Sequence, residues 1–210
     1  VGTPAAYALA GRRFRGRSLV LSLIELPLVL PPAVAGIGLL AAFGSQGLLG
    51  GALEVAGVRV PFTQAAVVMA VVFVSSPFYV RGAISAFESV DPSITEAART
   101  LGAGPWRVFR RVALPLAAGG LGAGSTLAFA RGVGEFGATI IFAGSFPGRT
   151  ETLSLAIYAE LDRDLDTALA IGALLVALSV AILVSSKVIG RWRSESRSPS
   201  PSGPSPSTWR

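Results

Sequence analysis

The 210-residue chain contains no cysteine and no histidine. Without cysteine it has neither a disulfide framework nor a thiolate metal site. Without histidine it lacks the commonest general base and the commonest metal ligand of proteins. These absences argue against a hydrolase or a metalloenzyme. We therefore expect no enzymatic activity, no catalytic residue, no bound metal and no cofactor of its own.

Charged residues are scarce as well. They make up 14% of the chain, while 51% of the residues are hydrophobic. A soluble domain usually carries about 25% charged residues. The composition therefore predicts an all-α integral membrane protein built from helical spans.

Four apolar segments have lengths within the range of about 17–25 residues that is typical of transmembrane helices. We predict these spans at residues 19–43, 62–80, 114–130 and 168–187. Pro27 and the pair Pro31-Pro32 should kink or break the first one.

The two ends of the chain differ in character. Residues 1–10 are apolar and run directly into arginines, so we expect that earlier N-terminal spans are missing from this sequence. Residues 194–210 contain seven serines and four prolines, which predicts a disordered tail.

The basic residues report the orientation of the spans. Fourteen of the 18 lysines and arginines fall on one side of the predicted membrane, and only Arg59, Arg131, Arg149 and Arg163 fall on the other. The positive-inside rule places the larger set in the cytoplasm. The net charge of +6 then reflects topology, and no nucleic-acid partner is expected.

A polar stretch at residues 91–111 separates the second and third predicted spans. Asp91 can cap a first short helix, and Pro92 suits its first turn. Gly102 stands where a left-handed stop is needed. Gly104-Pro105 then begins a second helix by the same logic. The stretch predicts two short cytoplasmic helices joined by a tight turn.

The same stretch resembles a known family motif. Glu96-Ala97-Ala98, then Gly102, Val112 and Leu114-Pro115 are similar to the pattern Glu-Ala-Ala-x3-Gly-x9-Ile-x-Leu-Pro. This is the EAA loop of type I ABC-importer permeases. Val112 in place of Ile is the one departure. The rival interpretation is a membrane scaffold whose amphipathic surface hairpin has no partner.

Two further stretches resemble the molybdate and sulfate permeases of that family. They are residues 26–32, of sequence LPLVLPP, and residues 134–158, which begin GEFGAT. The second stretch also contains part of a G-x-G-x-x-G pattern at residues 132–137. A predicted span precedes that pattern instead of a strand, so a dinucleotide site is a poor fit.

The resemblance implies a type I importer transmembrane domain over residues 1–193, with roles for three groups of residues. Residues 91–111 would be coupling helices that dock on an ATPase subunit. The residues implied in ATPase coupling are Asp91, Thr95, Glu96, Ala97, Ala98, Gly102 and Trp106. The residues implied in the gate and translocation path are Gly134, Glu135, Phe136 and Thr139. The residues implied in docking of the binding protein are Arg149, Thr150 and Glu151.

The resemblance also implies partners and a cargo. The expected assembly contains two copies of the chain, two ABC ATPase subunits and a periplasmic or lipid-anchored substrate-binding protein, embedded in the lipid of the cytoplasmic membrane. No G-x-x-x-x-G-K-[ST] motif is present, so the partner ATPase would use the ATP and Mg²⁺. The implied cargo is molybdate or tungstate, with sulfate or another small solute as the alternative.

Three sets of acidic residues have interpretations that require no functional site. Glu25 can pair with an arginine near the membrane interface, although a carboxylate in a span also suggests function. Glu135 can pair with Arg131 one helical turn earlier. Asp162, Asp164 and Asp166 mimic the start of a calcium loop, but Thr167 and Ala173 stand where Gly and Glu are required.

Overall fold

A computed structural model describes residues 1–11 and 14–195, with side chains described up to residue 185. All the regular structure in this part of the chain is helical, which confirms the all-α prediction. The helices are α1 (Gly2–Gly11), α2 (Arg17–Val29), α3 (Pro32–Phe43), α4 (Gly50–Val55), α5 (Gln64–Glu88), α6 (Pro92–Thr100), α7 (Pro105–Val108), α8 (Leu114–Val133), α9 (Gly137–Phe142), α10 (Leu153–Glu160) and α11 (Leu165–Glu195), with a π-helical turn at Phe109–Ala113 between α7 and α8.

Three of these helices are long and apolar enough to cross a membrane: Gln64–Glu88, Pro105–Val133 and Leu165–Ser185. They contain most of the second, third and fourth predicted spans. A fourth crossing is possible if α2 and α3 together form one broken span. The chain is therefore a multi-pass membrane protein, while the number of crossings stays a prediction.

The first predicted span is sharply broken. Helices α2 and α3 meet at an angle of 114°, with Leu30 and Pro31 between them. Neither Pro31 nor Pro32 has an N–H to continue the hydrogen bonding of α2, and Pro32 instead begins the first turn of α3. The predicted break occurs at this pair, whereas Pro27 lies inside α2.

No break in the helix marks the predicted boundary between the second coupling helix and the third span. Residues 105–133 form one continuous helix. Pro115 has no N–H, and the helix accommodates it by widening in the turn just before it, where the N–H of Leu114 donates to the carbonyl of Phe109. The second arm of the hairpin is thus the first part of a 29-residue helix.

Helices α5 and α8 pack closely at the centre of the fold because small residues face each other. A Cβ on Gly82 would lie 2.9 Å from the Cα of Gly124, and a Cβ on Gly120 would lie 2.5 Å from the Cβ of Ala86. Without larger side chains the two backbones can approach, as expected for helices packed in a membrane.

Helix α3 packs against the short helix α9 in a similar way. A Cβ on Gly36 would meet the carbonyl oxygen of Ala138 at 2.8 Å, and a Cβ on Gly137 would meet the Cβ of Pro32 at 2.8 Å. The broken pair α2–α3 is therefore anchored to α9 by direct backbone contact.

Two ion pairs join α2 to α5. Nη2 of Arg17 lies 2.9 Å from Oε1 of Glu88, and Nε of Arg81 lies 3.3 Å from Oε1 of Glu25. The interpretation of Glu25 as a partner of an arginine is confirmed. Both pairs lie towards the end of α5 that leads into residues 91–111.

Asp164 caps the last helix. Its Oδ1 accepts hydrogen bonds from the N–H groups of Asp166 and Thr167, and its Oδ2 accepts one from the Thr167 hydroxyl. Within the described residues, no group of three or more His, Cys, Asp or Glu side chains could hold a metal ion. Residues 196–210 of the predicted tail lie outside the described residues.

Candidate functional site

The first candidate region is the hairpin of residues 91–106. Oδ1 of Asp91 accepts a hydrogen bond from the N–H of Ser93 at 2.8 Å, so Asp91 caps α6 as predicted. This bond favours the ionised carboxylate and lowers the pKa of Asp91. The Thr95 hydroxyl donates to the carbonyl of Pro92 at 2.8 Å, which closes the first turn.

Gly102 ends α6 in the left-handed conformation, with a φ of +81°. Its N–H donates to the carbonyl of Arg99 at 2.9 Å, and the N–H of Ala103 donates to the carbonyl of Ala98 at 3.0 Å. This pair of bonds is a Schellman motif. The turn in the hairpin therefore depends on a backbone conformation that glycine adopts without strain.

The surface of the hairpin is unusually apolar for an exposed element. No residue of α6 is buried. Ile94, Leu101 and Trp106 are 46%, 88% and 66% exposed, and they lie close in sequence to Glu96 and Ala97. Exposed apolar side chains of this size, rimmed by charge, often mark a protein–protein contact.

Ile94 and Leu101 are not among the residues that the resemblance implied in ATPase coupling. A large apolar residue directly before a turn glycine was the available signal.

The second candidate region lies where α8 ends and α9 begins. Glu135 is 2% exposed. Its Oε2 lies 3.0 Å from Nη1 of Arg131, which confirms the predicted ion pair, and its Oε1 accepts the N–H of Ala138 at 2.8 Å. Its carbonyl accepts the Ser154 hydroxyl at 2.7 Å. One residue thus joins α8, α9 and α10.

The other residues predicted for the gate surround this junction. Gly134 is exposed directly after α8, and the ring of Phe136 packs against Tyr158 at a centroid distance of 5.2 Å. Thr139 is fully buried in α9, and its hydroxyl has no hydrogen-bond partner in the described part of the chain. Gly134, Glu135, Phe136 and Thr139 are therefore close neighbours, as their sequence spacing requires.

The third candidate region is the loop between α9 and α10. Thr150 is buried, and its Oγ1 accepts the N–H of Phe146 at 3.1 Å and donates to the carbonyl of Gly144 at 3.3 Å. Arg149 and Glu151 on either side are exposed. Thr150 therefore shapes the loop, while its two neighbours form part of the loop surface.

The hairpin and the Glu135 junction lie at opposite ends of one helix. The continuous helix Pro105–Val133 has Trp106 in its first turn and ends next to Gly134. Its 29 residues extend about 43 Å at 1.5 Å per residue. The two candidate regions are thus joined by one continuous helix that is long enough to cross a membrane.

Comparison with known proteins agrees with this architecture. Residues 2–194 match the family described as "binding-protein-dependent transport system inner membrane component". The molybdenum transport system permease protein ModB of Mycobacterium tuberculosis is 47% identical over 184 residues, which are 88% of this chain and 70% of that protein. The sulfate transport system permease protein CysT of Escherichia coli is 40% identical over 185 residues, 88% of this chain and 67% of that protein.

A solved structure has the same fold. The methionine ABC transporter MetNI, in inward-facing conformations, superposes with a TM-score of 0.69 over 91% of this chain and 85% of that chain, at 20% identity. This likeness concerns the fold alone. With the family match over nearly the whole chain, it leads to one conclusion: the chain belongs to the family of binding-protein-dependent transport system inner membrane components.

Proposed function

We propose that the chain is the permease subunit of an ABC importer that carries molybdate or tungstate across the cytoplasmic membrane. The observation that carries the proposal is the exposed hairpin built directly onto a membrane-length helix, Pro105–Val133. Such an arrangement suits a lever between a cytoplasmic motor and the membrane. The cargo follows from the 47% identity with a molybdenum transport permease.

The proposed motor is a pair of separate ATPase subunits that bind ATP and Mg²⁺. Their contact surface on each copy of the chain would include Glu96, Ala97, Leu101 and Trp106, which are all exposed. Asp91 and Gly102 would act by fixing the shape of the hairpin, and Thr95 and Ala98 would support its first arm. Closure of the ATPase pair would push the hairpins and bias the spans between two states.

On the other side of the membrane, a substrate-binding protein would deliver the anion. Arg149 and Glu151 offer charged contacts on the loop whose shape depends on Thr150. The Glu135 junction would then open or close the route, because it joins α8 to α9 and α10. A second copy of the chain would complete the path between two such sets of helices.

The decisive experiment is uptake of labelled molybdate into proteoliposomes that contain the purified complex. We expect uptake that requires ATP inside and the binding protein outside. Gly102→Trp should abolish uptake and release the ATPase during purification, because tryptophan cannot adopt the positive φ of Gly102 without strain. Glu96→Lys should weaken ATPase retention by reversing a charge on the exposed face. Retention of the ATPase by the double variant would contradict the coupling role.

Sulfate is the second candidate cargo, and the 40% identity with a sulfate permease favours it. Unlabelled sulfate, added to the same assay at the concentration of the labelled molybdate, separates the two cargoes. Molybdate uptake that persists at equimolar sulfate supports the molybdate assignment. Strong inhibition at that concentration would assign the chain to sulfate transport.

A further inference from the structure

A groove of about 580 Å³ lies between α2, α5 and α8. Small residues of α5 and α8 form much of its lining, and Leu28, Phe78 and Leu127 form apolar walls. Three polar residues also line it: Arg81 and Ser85 of α5, and Ser89, the residue directly after α5. Their spacing of four residues places them in one row along the helix.

The guanidinium of Arg81 is the charged group of this row. Its side chain is 63% exposed, and its Nε lies 3.3 Å from Oε1 of Glu25. Arg81 lies seven residues before the end of α5, about 10 Å along the helix axis. A largely exposed cation inside an apolar helix is costly against lipid, so its exposed face should meet water or an anion.

From this arrangement we propose that Arg81, Ser85 and Ser89 form a transient binding site for the cargo anion at the cytoplasmic mouth of the path. The inference rests on the proposed function, because it assigns residues to a cargo that the chain is proposed to carry. Arginine and hydroxyl groups are donors, and a tetrahedral oxyanion presents only acceptors to them. The Ser89 hydroxyl donates to the carbonyl of Ala86 at 2.8 Å in the structure, and it would turn from that carbonyl to the anion.

Glu25 has a definite part in this site. It neutralises much of the charge of Arg81 while no anion is present, and it competes with an arriving anion for the guanidinium. The site should therefore hold the anion weakly and release it. Removal of Glu25 should convert a transient contact into a tighter one.

The absence of cysteine from the chain makes a direct test possible. Ser85→Cys would place one thiol in this chain beside Arg81, and the complex would be assembled with partner subunits from which reactive cysteines have been removed by substitution. The probes are two thiosulfonate reagents, one carrying a sulfonate anion and the other a trimethylammonium cation. The complex is kept in proteoliposomes, and both reagents are applied to the hairpin side.

We expect the anionic reagent to react faster, and Arg81→Gln to slow it by about threefold, the effect of a unit charge roughly 6 Å away in water. Molybdate should slow the reaction of the Ser85→Cys complex, and Arg81→Gln should remove that protection. Equal rates with and without Arg81 would overturn the inference. Failure of the thiol to react with either reagent would also overturn it, since the groove would then face lipid or protein.

Uptake measurements separate this role from a merely structural one. Arg81→Gln should reduce the maximal uptake rate at saturating binding protein at least fivefold, and Arg81→Lys should restore most of it. Glu88→Gln is the matched control, because it breaks the other ion pair between α2 and α5 outside the groove. The double variant Glu25→Gln/Arg81→Gln has no unpaired charge; normal uptake by this variant would show that the pair is only structural.

The two hypotheses fail in different ways. Protection of the thiol by sulfate but not by molybdate would support an anion site and contradict the proposed cargo. Uptake of molybdate without any effect of Arg81→Gln would support the proposed function and contradict the anion site.

Discussion

Replacement of Gly36 by alanine tests the close contact between α3 and α9. The new Cβ would lie 2.8 Å from the carbonyl oxygen of Ala138 and 2.8 Å from the Cβ of Ile141. Both atoms belong to α9 or are fixed to its backbone, so they cannot move aside as the end of a flexible side chain could. The helix must shift as a whole, or the contact stays strained.

Gly38 provides a matched control in the same helix, because a Cβ there has no other heavy atom within 4 Å. Alanine is favoured over glycine in a helix by about 1 kcal/mol. Gly38→Ala should therefore stabilise the protein by up to about 1 kcal/mol. Gly36→Ala gains the same amount but adds an overpacking cost of about 1–3 kcal/mol. The difference between the two variants isolates the cost of the contact.

Both variants can be compared by denaturation of the purified complex in mixed detergent micelles, with helical circular dichroism as the signal. We expect Gly36→Ala to be less stable than Gly38→Ala by about 1–3 kcal/mol. Its uptake rate should also fall, because a displaced α9 moves Thr139 and the Glu135 junction. Equal stability of the two variants would refute the described packing of α3 on α9.

Three further predictions concern single side chains. The N–H of Ser93 lowers the pKa of Asp91 below its ordinary value of 3.8. The ionised carboxylate should therefore stabilise α6 above pH 3.8, and this stabilisation should be lost as the pH falls through the lowered pKa. Amide exchange at Ser93 should rise as the stabilisation is lost, and Asp91→Asn should show no such pH dependence. Glu135→Gln should destabilise the complex by about 1–3 kcal/mol, since it removes a charged partner of Arg131 from a buried position. An unchanged stability of the complex in detergent would contradict the described role of Glu135 in joining α8, α9 and α10. Thr150→Val should destabilise the loop between α9 and α10 by about 1–2 kcal/mol and weaken capture of the binding protein, because it removes the partly buried hydrogen bonds to the N–H of Phe146 and the carbonyl of Gly144. Thr150→Ser should restore both, and equal effects of the two variants would count against a role of the hydroxyl.

The features that the sequence predicted well are local ones. The cap at Asp91 and the turn at Gly102 depend on hydrogen bonds between residues at most five apart, so residue type and spacing were enough. The pair of Arg131 and Glu135 follows from helical spacing in the same way. The break before Pro32 follows from two missing N–H groups.

Features that depend on packing were not visible in the sequence. Glu25 and Arg81 are 56 residues apart, and the sequence did not indicate which arginine is the partner of Glu25. Ser154 reaches the carbonyl of Glu135 only because α10 folds back over the junction. The continuity of residues 105–133 was missed because Pro105 and Pro115 each look like the start of a helix, and a widened turn accommodates the second one.

That widened turn, Phe109–Ala113, sets the direction in which the hairpin projects from the membrane. It contains one residue more than an α-helical turn would need. Deletion of a single residue there would restore regular winding. The hairpin would then rotate by about 100° around the helix axis and retract by about 1.5 Å. One additional residue in this turn therefore fixes the rotational position of residues 91–106 relative to α8, and its deletion would change that position without substituting any residue of the hairpin.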